Sequence, residues 1–200
     1  MLAGQIMTER VVTVSPDTPV KRATKLLAEH GFSALPVLDD DERLVGIVTE
    51  ADCVRDRVPP DVRTGAKPGH PTPPRTVGEV MTSPVTAMST TADLAELVSA
   101  LLDNNFRAMP IVDGQKLAGI VTRGDVVRAL SRDDATIARD IRRKLLIYGG
   151  ADRWTVHVRD GVATIVDEYD DETDRHVATV LAESVPGVTH AETLWRTVDS

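Results

Sequence analysis

The sequence predicts an α+β chain in which two pseudo-symmetric β-α-β-β-α repeats form one module and a small αββαβ domain follows. Three observations carry this. Part of the first repeat returns 74 residues on: Met7-Thr8 as Met81-Thr82, and Phe32-Ser33-Ala34-Leu35-Pro36-Val37 as Phe106-Arg107-Ala108-Met109-Pro110-Ile111. Gly46-Ile47-Val48-Thr49-Glu50-Ala51-Asp52 returns 73 residues on, as Gly119-Ile120-Val121-Thr122-Arg123-Gly124-Asp125. The lost residue falls where Asp39-Asp40-Asp41-Glu42 shortens to Asp113-Gly114-Gln115, and a deletion confined to a turn is what two copies of one fold show. Past residue 132 the pattern changes to a four-residue apolar period and then two short apolar segments flanking Asp160-Gly161, a hairpin signal. The expected divisions are repeat one at 1–58, a Pro-rich linker at 59–76, repeat two at 77–132 and a C-terminal domain at 133–200.

Each repeat opens on a short extended piece, residues 11–14 in the first. A helix is expected from about Pro19, with Thr18 as N-cap and the proline at the first helical position. Its inward face is Val20, Ala23, Leu26 and Leu27; the second copy offers Leu94, Leu97, Val98, Leu101 and Leu102. Gly31 and Asn105 end these helices, both residue types that tolerate the left-handed region. Two strands follow, near 35–38 and 44–48, and a second helix starts at Thr49 and carries Cys53. Between the copies, Pro59-Pro60 and the four further prolines of 65–74 allow neither a helix nor an inner strand. In the last segment Ile137, Ile141 and Leu145 mark a helix, broken at Gly149-Gly150. Strands are expected at 154–158 and 162–166, then a helix at 173–184 with Val177, Val180 and Leu181 inward. Pro186-Gly187 ends it, and a last strand is expected at 188–198.

The net charge is −8, and residues 133–200 hold 14 acids against 8 bases. Such a surface repels phosphate backbones and anionic lipid at long range, which argues against nucleic acid as a partner. One cysteine, Cys53, excludes an intrachain disulfide and fits a reducing compartment. The first residues lack a basic start and an apolar core of signal-peptide length, and no segment reaches membrane-span length, so a cytoplasmic location is expected. His30, His70, His157, His176 and His190 are scattered without metal-ligand spacing, and no nucleophile elbow, phosphate loop or dinucleotide fingerprint is found. No catalytic residues, metal or cofactor are expected.

Thr-x-x-Asp stands after an apolar strand in both copies. One reading is local: the threonine caps a helix and the aspartate at its third position closes a capping box. The other is functional: the helix start receives phosphate, and the carboxylate accepts two hydrogen bonds from the vicinal hydroxyls of a ribose. The two are compatible, and only the second predicts a ligand.

Met7-Thr8, Ala34-Leu35-Pro36-Val37, Gly46-Ile47-Val48-Thr49-x-x-Asp52 and their second-copy counterparts resemble the cystathionine β-synthase-like (CBS) domain family, paired as a Bateman module over residues 1 to about 132. The resemblance implies a pseudo-symmetric sandwich with two clefts that take an adenine nucleotide (AMP, ADP or ATP) or a related adenosyl molecule. In the first cleft it implies Ile120, Thr122, Gly124 and Asp125, with Val12 and Phe32 enclosing the base and Arg107 meeting phosphate. In the second it implies Ile47, Thr49, Ala51 and Asp52, with Thr86 and Phe106 across the pseudo-dyad. Ser33 stands where Arg107 stands in the other copy, so the clefts differ in charge. A homodimer is also implied. Val156-x-Val158, Gly161-Val162-Ala163-Thr164-Ile165 and Val185-Pro186-Gly187-Val188 are similar to the BON domain family, bacterial modules for which phospholipid attachment has been proposed. The acids Asp167, Glu168, Asp170, Asp171 and Glu172 argue against anionic membranes here, even though Arg139, Arg142, Arg143 and Lys144 share one helix. Trp154 and Trp195 are expected to pack on the sheet. The leading expectation is a regulatory ligand sensor whose last domain meets an unknown protein partner; the alternative is a ligand-free stress or scaffold protein.

Overall fold

A computed structural model describes residues 1–55, 57, 58, 63, 72–150 and 152–196. Repeat one contains α1 (Val20–His30), β1 (Ala34–Leu38), β2 (Leu44–Thr49) and α2 (Glu50–Val54). Repeat two contains β3 (Met88–Ser89), α3 (Leu94–Asp103), β4 (Ala108–Asp113), β5 (Lys116–Thr122) and α4 (Arg123–Leu130). β1 pairs antiparallel with β2, and β4 with β5, in equivalent registers, Ala34 facing Thr49 as Ala108 faces Thr122. The expected strand at 11–14 is reduced to a single parallel bridge from Val14 to Val37, while its counterpart β3 pairs with β4 over two residues. Most of the proline-rich stretch read as a linker, including 59–62 and 64–71, lies outside the described residues.

The start of α1 corrects the sequence reading. Pro19 is the N-cap and contributes no side-chain bond, whereas Thr18 Oγ1 accepts from Ser15 N at 3.0 Å in the preceding turn. The first amide of the helix is satisfied from outside the repeat, Val20 N donating to Arg75 O at 2.9 Å. The second copy mirrors this, Leu94 N donating to Met1 O at 2.9 Å. α1 ends at Gly31, which is left-handed, and past α3 Asn105 is left-handed too. Val20, Ala23 and Leu27 of α1 and Leu94, Leu97 and Leu101 of α3 are buried; Leu102, expected inward, is exposed.

The copies are joined by exchange of their Met-Thr segments. Thr8 and Ile120 trade backbone hydrogen bonds at 2.9 and 3.1 Å, and Thr82 and Ile47 do the same at 2.9 and 3.1 Å. Met7 lies over Gly119 and Met81 over Gly46, so close that a Cβ on either glycine would stand 2.5–2.6 Å from the methionine sulfur. Ala34, Ala108 and Ile120 form a small buried cluster with Val11 and Ile47 packed on it, at the seam between the copies.

The C-terminal domain follows the expected order: α5 (Asp134–Gly149), β6 (Trp154–Arg159), β7 (Val162–Asp167), α6 (Glu172–Glu183) and β8 (His190–Trp195). β6 and β7 form the hairpin about Asp160-Gly161, and β8 joins β7 in parallel. Ile137, Ile141 and Leu145 are buried as expected, and Leu181 packs on the core as expected, but the buried residues of α6 are Ala178 and Ala182, and Val180 is exposed. Trp154 is buried, whereas Trp195 is nearly half exposed. Asp167, read as part of an acidic run that argues against anionic membranes, is wholly buried and receives two bonds from Arg153, at 2.8 and 2.9 Å. Arg153 also pairs with Asp174, and these bonds hold the guanidinium pKa above its usual value. The hydrogen bond from Tyr148 and then that from Arg153 depress the Asp174 carboxyl. Of the bases of α5, Arg142 donates to Val156 O and Lys144 to Ser184 Oγ, while Arg139, Arg142 and Arg143 line one groove. Among the described residues no helix is long and apolar enough to cross a membrane.

Candidate functional site

The Thr-x-x-Asp pairs form capping boxes of nearly identical geometry. Thr122 N and Thr122 Oγ1 donate to Asp125 Oδ2 at 2.8 and 2.6 Å, and Asp125 N donates to Thr122 Oγ1 at 3.3 Å. In repeat one the corresponding distances are 2.9, 2.7 and 3.4 Å. The local reading of the motif holds in both copies: the box satisfies one oxygen of each carboxylate.

Asp125 lines a cavity of about 300 Å³ between the two copies, its second oxygen accepting from Arg128 on the same wall. Thr8, Arg10, Val11 and Val12 form one wall; His30, Gly31, Phe32, Ser33 and Ala34, at the α1–β1 corner, form a second; Ile120, Thr122, Asp125 and Arg128 close it. The structure therefore brings Val12, Phe32, Ile120, Thr122 and Asp125 together around one space. Gly124 is exposed on the outer side of the first turn of α4 and does not line it. Arg107, assigned by resemblance to this cleft, is exposed and absent from its walls; Ser33 is there instead. Ser33 enters this wall together with its neighbour Phe32, whereas neither Arg107 nor its neighbour Phe106 lines it. Of the residues assigned by resemblance to the second cleft, Ile47, Thr49 and Asp52 are half-buried, Phe106 packs on the core of repeat two, and Thr86 and Ala51 are exposed.

Three basic side chains went unassigned in the sequence and line the first cleft: Arg10, His30 and Arg128. Arg128 donates to Asp125 Oδ1 at 2.6 Å, and the imidazole of His30 stacks on Phe32 with centroids 5.0 Å apart. The signal for Arg10 was present in the repeat itself, since Pro84 occupies its place in the second copy. Burial chiefly raises the pKa of Cys53, on the buried side of α2, as suits a packing residue. No group of three or more His, Cys, Asp or Glu that could hold a metal ion occurs among the described residues.

The comparisons with known proteins identify the family. The CBS domain family model matches residues 3–58 and 77–132. The chain is 35% identical over 147 residues to the chloroplastic CBS domain-containing protein CBSX2 of Arabidopsis thaliana, covering 63% of this chain and 62% of that one. CBSX2 has been solved in complex with AMP; that structure overlays with a TM-score of 0.53 at 33% identity, over 64% of this chain and 94% of the other. Hypoxic response protein 1 of Mycobacterium tuberculosis is 29% identical over 64% of this chain and 84% of its own. Its structure with two coordinated zinc ions overlays at a TM-score of 0.51, with 27% identity over 64% of this chain and 98% of that one. An inosine-5'-monophosphate dehydrogenase from Methanocaldococcus jannaschii is 29% identical over 72% of this chain but only 26% of the enzyme. With both repeats matched in order, over more than half of its length, this chain belongs to the CBS domain family, as a tandem pair of the Bateman type.

Proposed function

We propose that this chain is a non-enzymatic regulatory protein that binds a phosphorylated adenosine in the first cleft. The observation that carries the reading is Asp125: a carboxylate only 7% exposed, with one oxygen fixed by Thr122 and the other held by the exposed Arg128, on the wall of a cavity whose apolar side is Val12, Phe32, Ala34 and Ile120. A buried carboxylate on a fixed frame suits a vicinal diol, and the apolar wall suits a flat base. Arg10, Arg128 and His30 line the same space and favour phosphate over the sulfonium cation of S-adenosylmethionine. CBSX2, the relative at 33% identity, supports an AMP-like ligand. The second cleft, with Asp52 and Thr49, is a weaker site for the same ligand class. The C-terminal domain serves as the interaction module, with a BON-like fold.

Isothermal calorimetry with AMP, ADP, ATP and S-adenosylmethionine tests this. The expected result is saturable binding of at least one phosphorylated adenosine, with S-adenosylmethionine weaker by about tenfold or more, roughly 1.4 kcal/mol. Absence of heat with all four at millimolar concentration rejects the reading in favour of a ligand-free scaffold whose Thr-x-x-Asp pairs only cap helices.

A further inference from the structure

α4 belongs to two sites at once. Its first turn presents Asp125 to the cleft and its second presents Arg128. Its far end is held by the C-terminal domain. Arg132, just past the helix and a quarter exposed, donates to Pro186 O at 2.6 Å and pairs with Asp140 of α5. Gly187 follows α6 with φ +98°; a Cβ there would stand 3.0 Å from Ala129 O and 2.7 Å from Ile137 Cδ1. The turn at 184–188 is thus packed directly on the α4 backbone, at a place where both backbone angle and clearance require glycine. Ser184 O also accepts from Gln5 Nε2 of repeat one, at 3.1 Å. At 1.5 Å per residue, Asp125 lies about 7 Å along the axis from Leu130, the last residue of α4, and Arg132 follows two residues later.

We propose that α4 is a strut by which the C-terminal domain reads the occupancy of the first cleft. This rests on the nucleotide reading of that cleft. A ribose on Asp125 and a phosphate on Arg128 both compete with the 2.6 Å contact between those two side chains. Ligand binding therefore acts on one side of α4, one residue before Ala129, whose carbonyl meets Gly187. The start of the helix is anchored, since Arg123 Nη2 donates to Leu101 O at 2.9 Å and to Asn105 Oδ1 at 3.1 Å. A tilt of α4 is then expressed at its other end, under Arg132 and the 184–188 turn. Such coupling is reciprocal: if nucleotide tightens docking of the turn, docking tightens nucleotide.

Amide hydrogen exchange on the full chain, with and without saturating AMP, tests the strut. In the wild type, AMP is expected to slow exchange at 122–126 and, by about threefold or more, at 184–188. Arg132→Gln is expected to keep the effect at 122–126, raise the AMP Kd by about fivefold at most and abolish the effect at 184–188. Gly187→Ala is expected to give the same separation, so the result does not hang on one variant; a variant that fails to fold is recognised by lost protection at 122–126. Slowing at 122–126 without slowing at 184–188 in the wild type overturns the strut and leaves the cleft reading intact. Persistence of the full effect at 184–188 in both variants also overturns it. No slowing at either segment overturns the nucleotide reading and the strut with it.

Discussion

The two Thr-x-x-Asp motifs have the same bonds and different surroundings. α2 runs five residues, with Asp52 half-buried; α4 runs eight, with Asp125 buried and bonded to Arg128. Across from Asp125 stand Arg10, His30 and Phe32; in the second copy Pro84 takes the place of Arg10. A motif of four residues sets its own local geometry through capping, and leaves to the opposite repeat what that geometry faces. Two copies of one motif can therefore hold one strong site and one weak one.

The comparison breaks most visibly through the aspartates. Asp125→Ala should weaken AMP binding by roughly 10- to 100-fold, the loss of about 1.5–3 kcal/mol for a charged hydrogen bond, while Asp52→Ala costs about threefold or less. Calorimetry on both variants, with urea midpoints to correct for the lost capping, decides it; equal losses would remove the distinction between the clefts.

The glycines under the two methionines probe the seam. At Gly119 a Cβ meets Thr8 O at 2.9 Å, a backbone atom, whereas at Gly46 the nearest backbone atom, Thr82 O, is 3.1 Å away and the closer clash is with the flexible Met81. Gly119→Ala should destabilise by about 1–3 kcal/mol and Gly46→Ala by less, read as the difference in urea midpoint.

Removing the cap hydroxyls sharpens the local half of the comparison. Thr122→Ala and Thr49→Ala should each cost about 1 kcal/mol of stability, with Thr122→Ala the larger because it strips partners from a buried carboxylate. Thermal unfolding that ranks Thr49→Ala as the more damaging would contradict the burial difference.

The smallest expected effect belongs to the exposed cations. Arg128→Ala should weaken AMP by about fivefold, near 1 kcal/mol, with the difference shrinking at high salt, and Arg55→Ala, its counterpart, by less than about twofold. Titration at two ionic strengths separates the two.

Much of the fold was legible because repetition and periodicity are local signals. The paired registers of β1–β2 and β4–β5, the left-handed Gly31 and Asn105, and the order of the C-terminal elements all follow from spacing and turn chemistry. Where helices pack on small residues the signal failed: Ala178 and Ala182, not Val180, face the core, because a close-packed helix buries its smallest side chains. Asp167 was misjudged for a related reason. Its neutralising partner Arg153 is 14 residues away and meets it only through the β6–β7 hairpin.

The sequence by itself determined the two repeats, the capped Thr-x-x-Asp turns and the chemistry of a carboxylate beside an apolar strand, since these depend on residues within a few positions of one another. Only the tertiary structure decided which cations join Asp125. Arg10 reaches the cleft because the Met-Thr segments cross between repeats, and Arg107, beside Phe106 in the second copy, does not line it. It alone decided, too, that α4 ends under Gly187, a contact between residues 58 positions apart that burial and backbone clearance select and no local pattern encodes.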